Sequence, residues 1–146
     1  KLGGTHYKRG KAMISQVIPV NSRLFLAYQL FFGAYKKTSN ELTFETERFS
    51  LGGANNLRGY REESYFGNYR LSLNFEPRFM LNDTWIGVLF FDAGMIADQH
   101  QYIRQSQIIS SYGAGVRWLN EVLPLRMDVA YGDGLMVHLS LSQTFL

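Results

Sequence analysis

The side chains that could carry chemistry are few. Glu76 and Asp92 are the only carboxylates whose placement invites a paired-acid reading, in which one protonated and one ionised group would share a hydrolytic step. His6, His100 and His138 fall on separate segments without the spacing of a metal site. The chain has no cysteine, which removes thiolate nucleophiles, disulfide frameworks and cysteine zinc sites. It also lacks a Gly-x-Ser-x-Gly elbow, a phosphate loop and a zinc-binding helix. The expectation is a protein that is not an enzyme and uses no metal or cofactor.

The elements that must position these residues are strands. Aromatics make up 15% of the 146 residues and Gly 14 positions, against 3 Pro, a mixture that favours strands and turns over helices. Lys and Arg are scattered singly, and the net charge of +3 describes a solvated basic surface, not a nucleic-acid site. No apolar run approaches the ~20 residues of a membrane helix. Lys1 to His6 shows no basic-then-apolar signal segment and reads as the middle of a longer chain.

Period-two alternation puts successive side chains on opposite faces of a strand. Tyr69, Leu71, Leu73, Phe75, Pro77 and Phe79 oppose Arg70, Ser72, Asn74, Glu76 and Arg78. Leu125, Met127, Val129 and Tyr131 oppose Arg126, Asp128 and Ala130, and Tyr112, Ala114, Val116 and Trp118 oppose Ser111, Gly113, Gly115 and Arg117. At the end, Leu135, Val137, Leu139, Leu141 and Phe145 oppose His138, Ser140, Ser142 and Thr144. Leu24–Tyr35 and Trp85–Met95 are apolar on both faces, and Lys11–Val20 is a weaker strand, giving about seven in all.

Short connections at Pro19–Arg23 and Asn82–Thr84 alternate with a long one from Lys36 to Tyr65 and another from Ala97 to Gln107. Short turns on one rim and longer loops on the other are the build of a transmembrane β-barrel; the tight Gly132-Asp133-Gly134 turn breaks the length rule. A soluble sandwich or lipocalin-like barrel also alternates. Aromatics at strand ends, Trp85, Trp118, Tyr69, Phe79, Tyr131 and Phe145, favour the membrane, where interfacial girdles sit.

The stretch Phe49-Ser-Leu-Gly-Gly-Ala-Asn-Asn-Leu-Arg-Gly-Tyr60 resembles the conserved loop motif of the BamA and two-partner-secretion transporter superfamily. Phe91-Asp92-Ala93-Gly94 resembles its second motif, an aromatic, Asp, any residue and Gly at a strand end. The likeness covers residues 45 to 146 closely and the earlier strands by pattern. It implies that the long loop folds back into the barrel lumen and docks its Arg-Gly-aromatic tip on the inner wall. Carried over, Arg58 is the guanidinium and Asp92 its expected carboxylate, with Glu76, on the same face of the neighbouring strand, as the second candidate, so an adjacent structural arginine is the simpler use for both acids. Strand parity puts Asp92 with Phe90 and Gly94, opposite Leu89, Phe91 and Ala93. Gly52, Gly53 and Gly59 are expected to let the backbone turn and lie close to the wall, and Tyr60 to pack beside the pair and limit water. The resemblance also makes the last strand, with Leu141 and Phe145, an assembly signal.

The fold expected is therefore all-β, an antiparallel transmembrane β-barrel in which residues 1–146 supply about seven C-terminal strands of a larger one, about sixteen by resemblance. Seven strands cannot close alone, since every backbone group facing lipid must be paired. The missing strands would come from the same chain or from another copy. By resemblance the function is an outer-membrane pore in Gram-negative bacteria that translocates polypeptides or inserts β-barrel proteins, with outer-membrane lipid and unfolded polypeptide as partners and no nucleic acid. The alternatives are a barrel that only anchors a fused passenger such as a lipase-like domain and, third, a soluble β-barrel that binds an apolar ligand.

Overall fold

Each alternating segment is a strand in the computed structural model, which describes residues 7–37, 48–99, 106–120 and 124–141. β1 (Tyr7–Pro19) and β2 (Leu24–Lys37) are followed by two short strands, β3 (Phe49–Leu51) and β4 (Tyr65–Gly67). Then come β5 (Tyr69–Met80), β6 (Trp85–Ala97), β7 (Ile109–Trp118), β8 (Leu125–Tyr131) and β9 (Leu135–Ser140). Seven of them form one antiparallel sheet in the order β1-β2-β5-β6-β7-β8-β9, while β3 and β4 pair with each other. β1 and β9 stand at opposite ends of the sheet, so the described wall is open.

The short turns are fixed by asparagine. Asn21 Oδ1 accepts from the N–H groups of Arg23 and Leu24 at 2.9 Å each, and Asn82 Oδ1 does the same for Thr84 and Trp85. The structure extends several strands beyond their expected ends. β1 starts at Tyr7, not Lys11, because its backbone ladder with β2 runs from Tyr7 opposite Lys37 and needs no side-chain alternation. β7 starts at Ile109, not Ser111, paired there with Gly94. The connection placed at 36 to 65 is not plain loop, since β2 runs to Lys37 and the segment carries β3 and pairs it with β4. Leu141 follows β9 in a bend, whereas His6, His100 and Phe145 lie outside the described residues.

The two faces divide as their sequence parity dictates. Ser72, Asn74, Glu76, Phe90, Asp92, Ser111, Arg117, Arg126, Asp128 and Ala130 are buried on one face, here called inner. Leu71, Phe75, Leu89, Phe91, Tyr112, Val129, Tyr131 and Leu139 are exposed on the other. A face of exposed leucine and phenylalanine backed by buried charge inverts the arrangement of a soluble sheet and matches a wall whose outside meets hydrocarbon. Tyr112 packs on Tyr131 near one end of the outer face, and Trp85 stacks on Trp118 at the other. From Tyr69 to Phe79 is ten steps, ~33 Å of strand, which at a tilt near 40° is the ~25 Å height of an apolar band.

β2 and β6 are apolar on both faces because residues 48–60 cover part of their inner side. Phe49 sits on β2, its ring 5.8 Å from that of Phe31, and Leu51 and Leu57 are fully buried. Val88, Phe90 and Ala130 form a small buried cluster beside them.

Candidate functional site

The covering segment reaches the wall where the wall has no side chains. A Cβ on Gly33 would stand 2.6 Å from the Phe49 ring, and one on Gly94 2.7 Å from a Leu51 methyl, so both glycines leave the hollows that β3 fills. Gly52 and Gly53 then turn the chain at φ of +122° and +103°, values that L side chains rarely adopt. Asn56 Oδ1 accepts from Gly52 N–H at 2.7 Å, and Gly53 N–H is shared between the carbonyls of Leu57 and Tyr60. This tight reversal presents Leu57-Arg58-Gly59 to β5, β6 and β8.

Arg58 is 1% exposed and meets carboxylates on all three of those strands. Its Nε and Nη2 donate to the two oxygens of Asp92 at 2.8 and 2.7 Å, and its backbone N–H adds a third bond at 3.1 Å. Nη1 donates to Glu76 at 2.8 Å and faces Asp128 at 3.3 Å. The guanidinium lies 3.5 Å from the centre of the Phe90 ring, a cation–π contact shielded from water. Planar fork geometry explains why arginine stands here, since an ammonium could not span Asp92 bidentately while bonding Glu76.

The carboxylates are themselves held. Asn74 donates to Asp92 at 2.8 Å and to the Asn56 carbonyl at the same distance, tying β5 both to β6 and to the loop. Glu76 accepts from Arg78 at 2.8 Å and faces Arg117 at 3.3 Å. Asp128 accepts from Arg117 at 2.5 Å and Arg126 at 2.7 Å, and Arg126 also donates to the Ala54 carbonyl. Four guanidinium groups thus share these three carboxylates. Burial alone would lower the pKa of Arg58, but the bond to Asp92 and the charges of Asp92, Glu76 and Asp128 outweigh it and hold the value above the ordinary one. The group stays charged at any pH at which the fold survives.

Of the residues singled out in the sequence, Arg58, Glu76 and Asp92 are brought together, with Gly94 beneath β3 and Phe91 on the outer face, 43% exposed. Gly59 lies against β7 and the β8–β9 turn: a Cβ there would stand 2.6 Å from Ser111 Cβ and from Gly132 N. Its carbonyl accepts from Asp133 N–H at 3.1 Å. Tyr60 is not beside the ion pair. It packs on Gly132 and 5.9 Å from Tyr65, and Phe90 is the aromatic over the guanidinium, because the turn at Gly59 carries residue 60 toward the β8–β9 turn.

Asn74, Phe90, Arg117, Arg126 and Asp128 were not singled out, although alternation had put their strands' polar side on this face. His138 joins the site from β9, its Nε2 2.7 Å from the Arg58 carbonyl oxygen. What alternation lacks is height. Asp128 stands opposite Gly115 and His138 in the ladder, and only the accumulated register brings that row within reach of Arg58. Among the described residues no three His, Asp or Glu side chains are grouped to hold a metal.

This fold has a solved counterpart. A crystal structure of BamA from Haemophilus ducreyi lacking POTRA domains 1–3 superimposes with a TM-score of 0.74 over 90% of this chain, at 16% identity. The chain covers 33% of that structure, so it spans about a third of its length. The wall of seven strands is accordingly part of a β-barrel that the described residues do not close. The Omp85 superfamily domain matches residues 2–145, which is nearly the whole sequence, and the chain belongs to the Omp85 superfamily.

Proposed function

We propose that this chain is the C-terminal wall of an outer-membrane barrel, in Gram-negative bacteria, that translocates polypeptides or inserts β-barrel proteins, and that residues 48–64 are a plug element clamped inside it by Arg58. The observation that carries the reading is the buried Arg58 fork on Asp92 and Glu76, set on a wall whose opposite face is bare apolar side chain. A simple lipid anchor has no need of a fully desolvated arginine on an inner wall. A pore whose interior must keep a fixed shape while unfolded chain passes it, or while strands pair at its seam, does need a rigid inner segment.

The work is done without catalysis by this chain. Partner strands, outer-membrane lipid and an unfolded polypeptide are the groups it meets, and the energy comes from folding and strand pairing of the substrate. Gly52, Gly53 and Gly59 set the path of the plug, Arg58 with Glu76 and Asp92 fixes its tip, and β9 through Leu141 forms one lip of the seam. Phe145, beyond the described residues, serves as the assembly signal that the family resemblance implies.

Arg58→Ala tests the reading. Transport or assembly is expected to fall while heat-modifiable migration of the folded barrel persists; wild-type activity would remove the clamp from the mechanism. Exchanging the charges, Arg58→Asp with Asp92→Arg, is expected to restore part of what either change alone loses, as paired residues couple.

A further inference from the structure

The outer faces of the wall strands carry only two charges among the described residues, and the two stand side by side. In β1 the outward residues are Lys8, Gly10, Ala12, Ile14, Gln16 and Ile18, and in β2 they alternate from Leu24 to Lys36. Lys8 is the direct ladder partner of Lys36, and both are exposed. Like charges directly opposite each other destabilise a sheet. A pair kept on a face otherwise free of charge needs an anion.

Their depth says which kind. Tyr69 is the partner of Ala34, so Lys36 lies two residues, ~7 Å of strand, beyond the level of the rim tyrosine. That places both ammonium groups in the headgroup layer, on the rim that carries the long loop. Directly below them the outward side chains are small and leave a shallow trough: Gly10 faces Ala34, Ala12 follows, and a Cβ on Gly10 would meet only open space. Phe32, 46% exposed, and Ile14 with Leu30 line the floor of this trough. Two cations above an uncharged channel of small residues fit a phosphate with an acyl chain attached.

We infer that Lys8 and Lys36 clamp the phosphate of an outer-leaflet lipid, whose acyl chain lies in the trough over Gly10, Ala12 and Ala34. The site requires only that this face meets lipid, so it stands apart from polypeptide transport.

The test is native mass spectrometry of the complete protein, released from zwitterionic detergent with added lipid A or phosphatidylglycerol. The wild type is expected to keep one such lipid under activation that strips phosphatidylcholine. Lys8→Gln with Lys36→Gln is expected to weaken this about thirtyfold, ~2 kcal/mol at ~1 kcal/mol per basic residue. Gly10→Leu, which fills the trough and leaves the lysines, is expected to weaken it as well. Lys11→Gln, an exposed lysine of β1 on the inner face, is expected to change nothing. Equal retention by the double variant, equal loss in Lys11→Gln, or displacement by inorganic phosphate alone overturns the proposal. Heat-modifiable migration of each variant separates loss of the site from loss of the barrel, and wild-type transport by Arg58→Ala with lipid binding intact would count against the clamped-pore reading only.

Discussion

Asp128 and Glu76 each face three guanidinium groups, and neither has a solvent-exposed oxygen to spare. Removing one carboxylate from this buried cluster leaves the guanidinium groups it faces without a counter-charge they share. Asp128→Asn is therefore expected to loosen residues 50–60 by about 3 to 5 kcal/mol, although it lies 70 residues from Arg58 in sequence. Amide hydrogen exchange across Gly52–Tyr60 would read this, and unchanged protection there would separate Asp128 from the clamp. Arg58→Lys keeps the charge but not the fork. It is expected to fall between wild type and Arg58→Ala in the same measurement, since one ammonium cannot hold both oxygens of Asp92 and Glu76 together.

At the level of elements, the inner segment and the wall fit through missing side chains. Gly52 sits at φ +122°, and a Cβ there would run into the Arg61 carbonyl, so Gly52→Ala adds backbone strain of ~1–3 kcal/mol to a steric clash. The expected result is faster proteolysis between β3 and β4 with the wall strands still protected. The short β8–β9 hairpin belongs to the same fit. Tyr131 ends β8 opposite Tyr112, three residues inside the start of β7 at Ile109, so the hairpin stops below its neighbours. Gly59 and Tyr60 occupy the space above Gly132. The tight turn that broke the expected pattern of long loops is the seat of the loop tip.

For the whole molecule the controlling feature is which face meets lipid. Leu73 lies outward near the middle of β5, so Leu73→Lys is expected to cost ~2–4 kcal/mol of folding free energy, measured by denaturant unfolding in vesicles. A lysine at the height of Lys36 costs ~0–1 kcal/mol on the same argument. Equal costs at the two depths would mean that this face does not span a bilayer. The open edges of β1 and β9 point the same way, since a lipid-facing sheet must have both paired by further strands.

The sequence by itself determined the period and therefore the faces. Alternation from Tyr69 to Phe79 is a local property, fixed by each residue and its neighbours, and it put Glu76 and Arg78 on one side and Leu71 and Phe75 on the other before any contact was known. Family likeness added Arg58 and Asp92, because the motifs holding them are contiguous, and parity added Glu76 on the same face of the neighbouring strand. Only the tertiary structure decided heights: that Asp128 and His138, two and three strands beyond β6, stand level with the loop tip, that Phe90 and not Tyr60 covers the guanidinium, and that Lys8 meets Lys36 at the rim. Register across a sheet is the sum of many turns and pairings, and an alternating pattern reads the same after a slip of two residues.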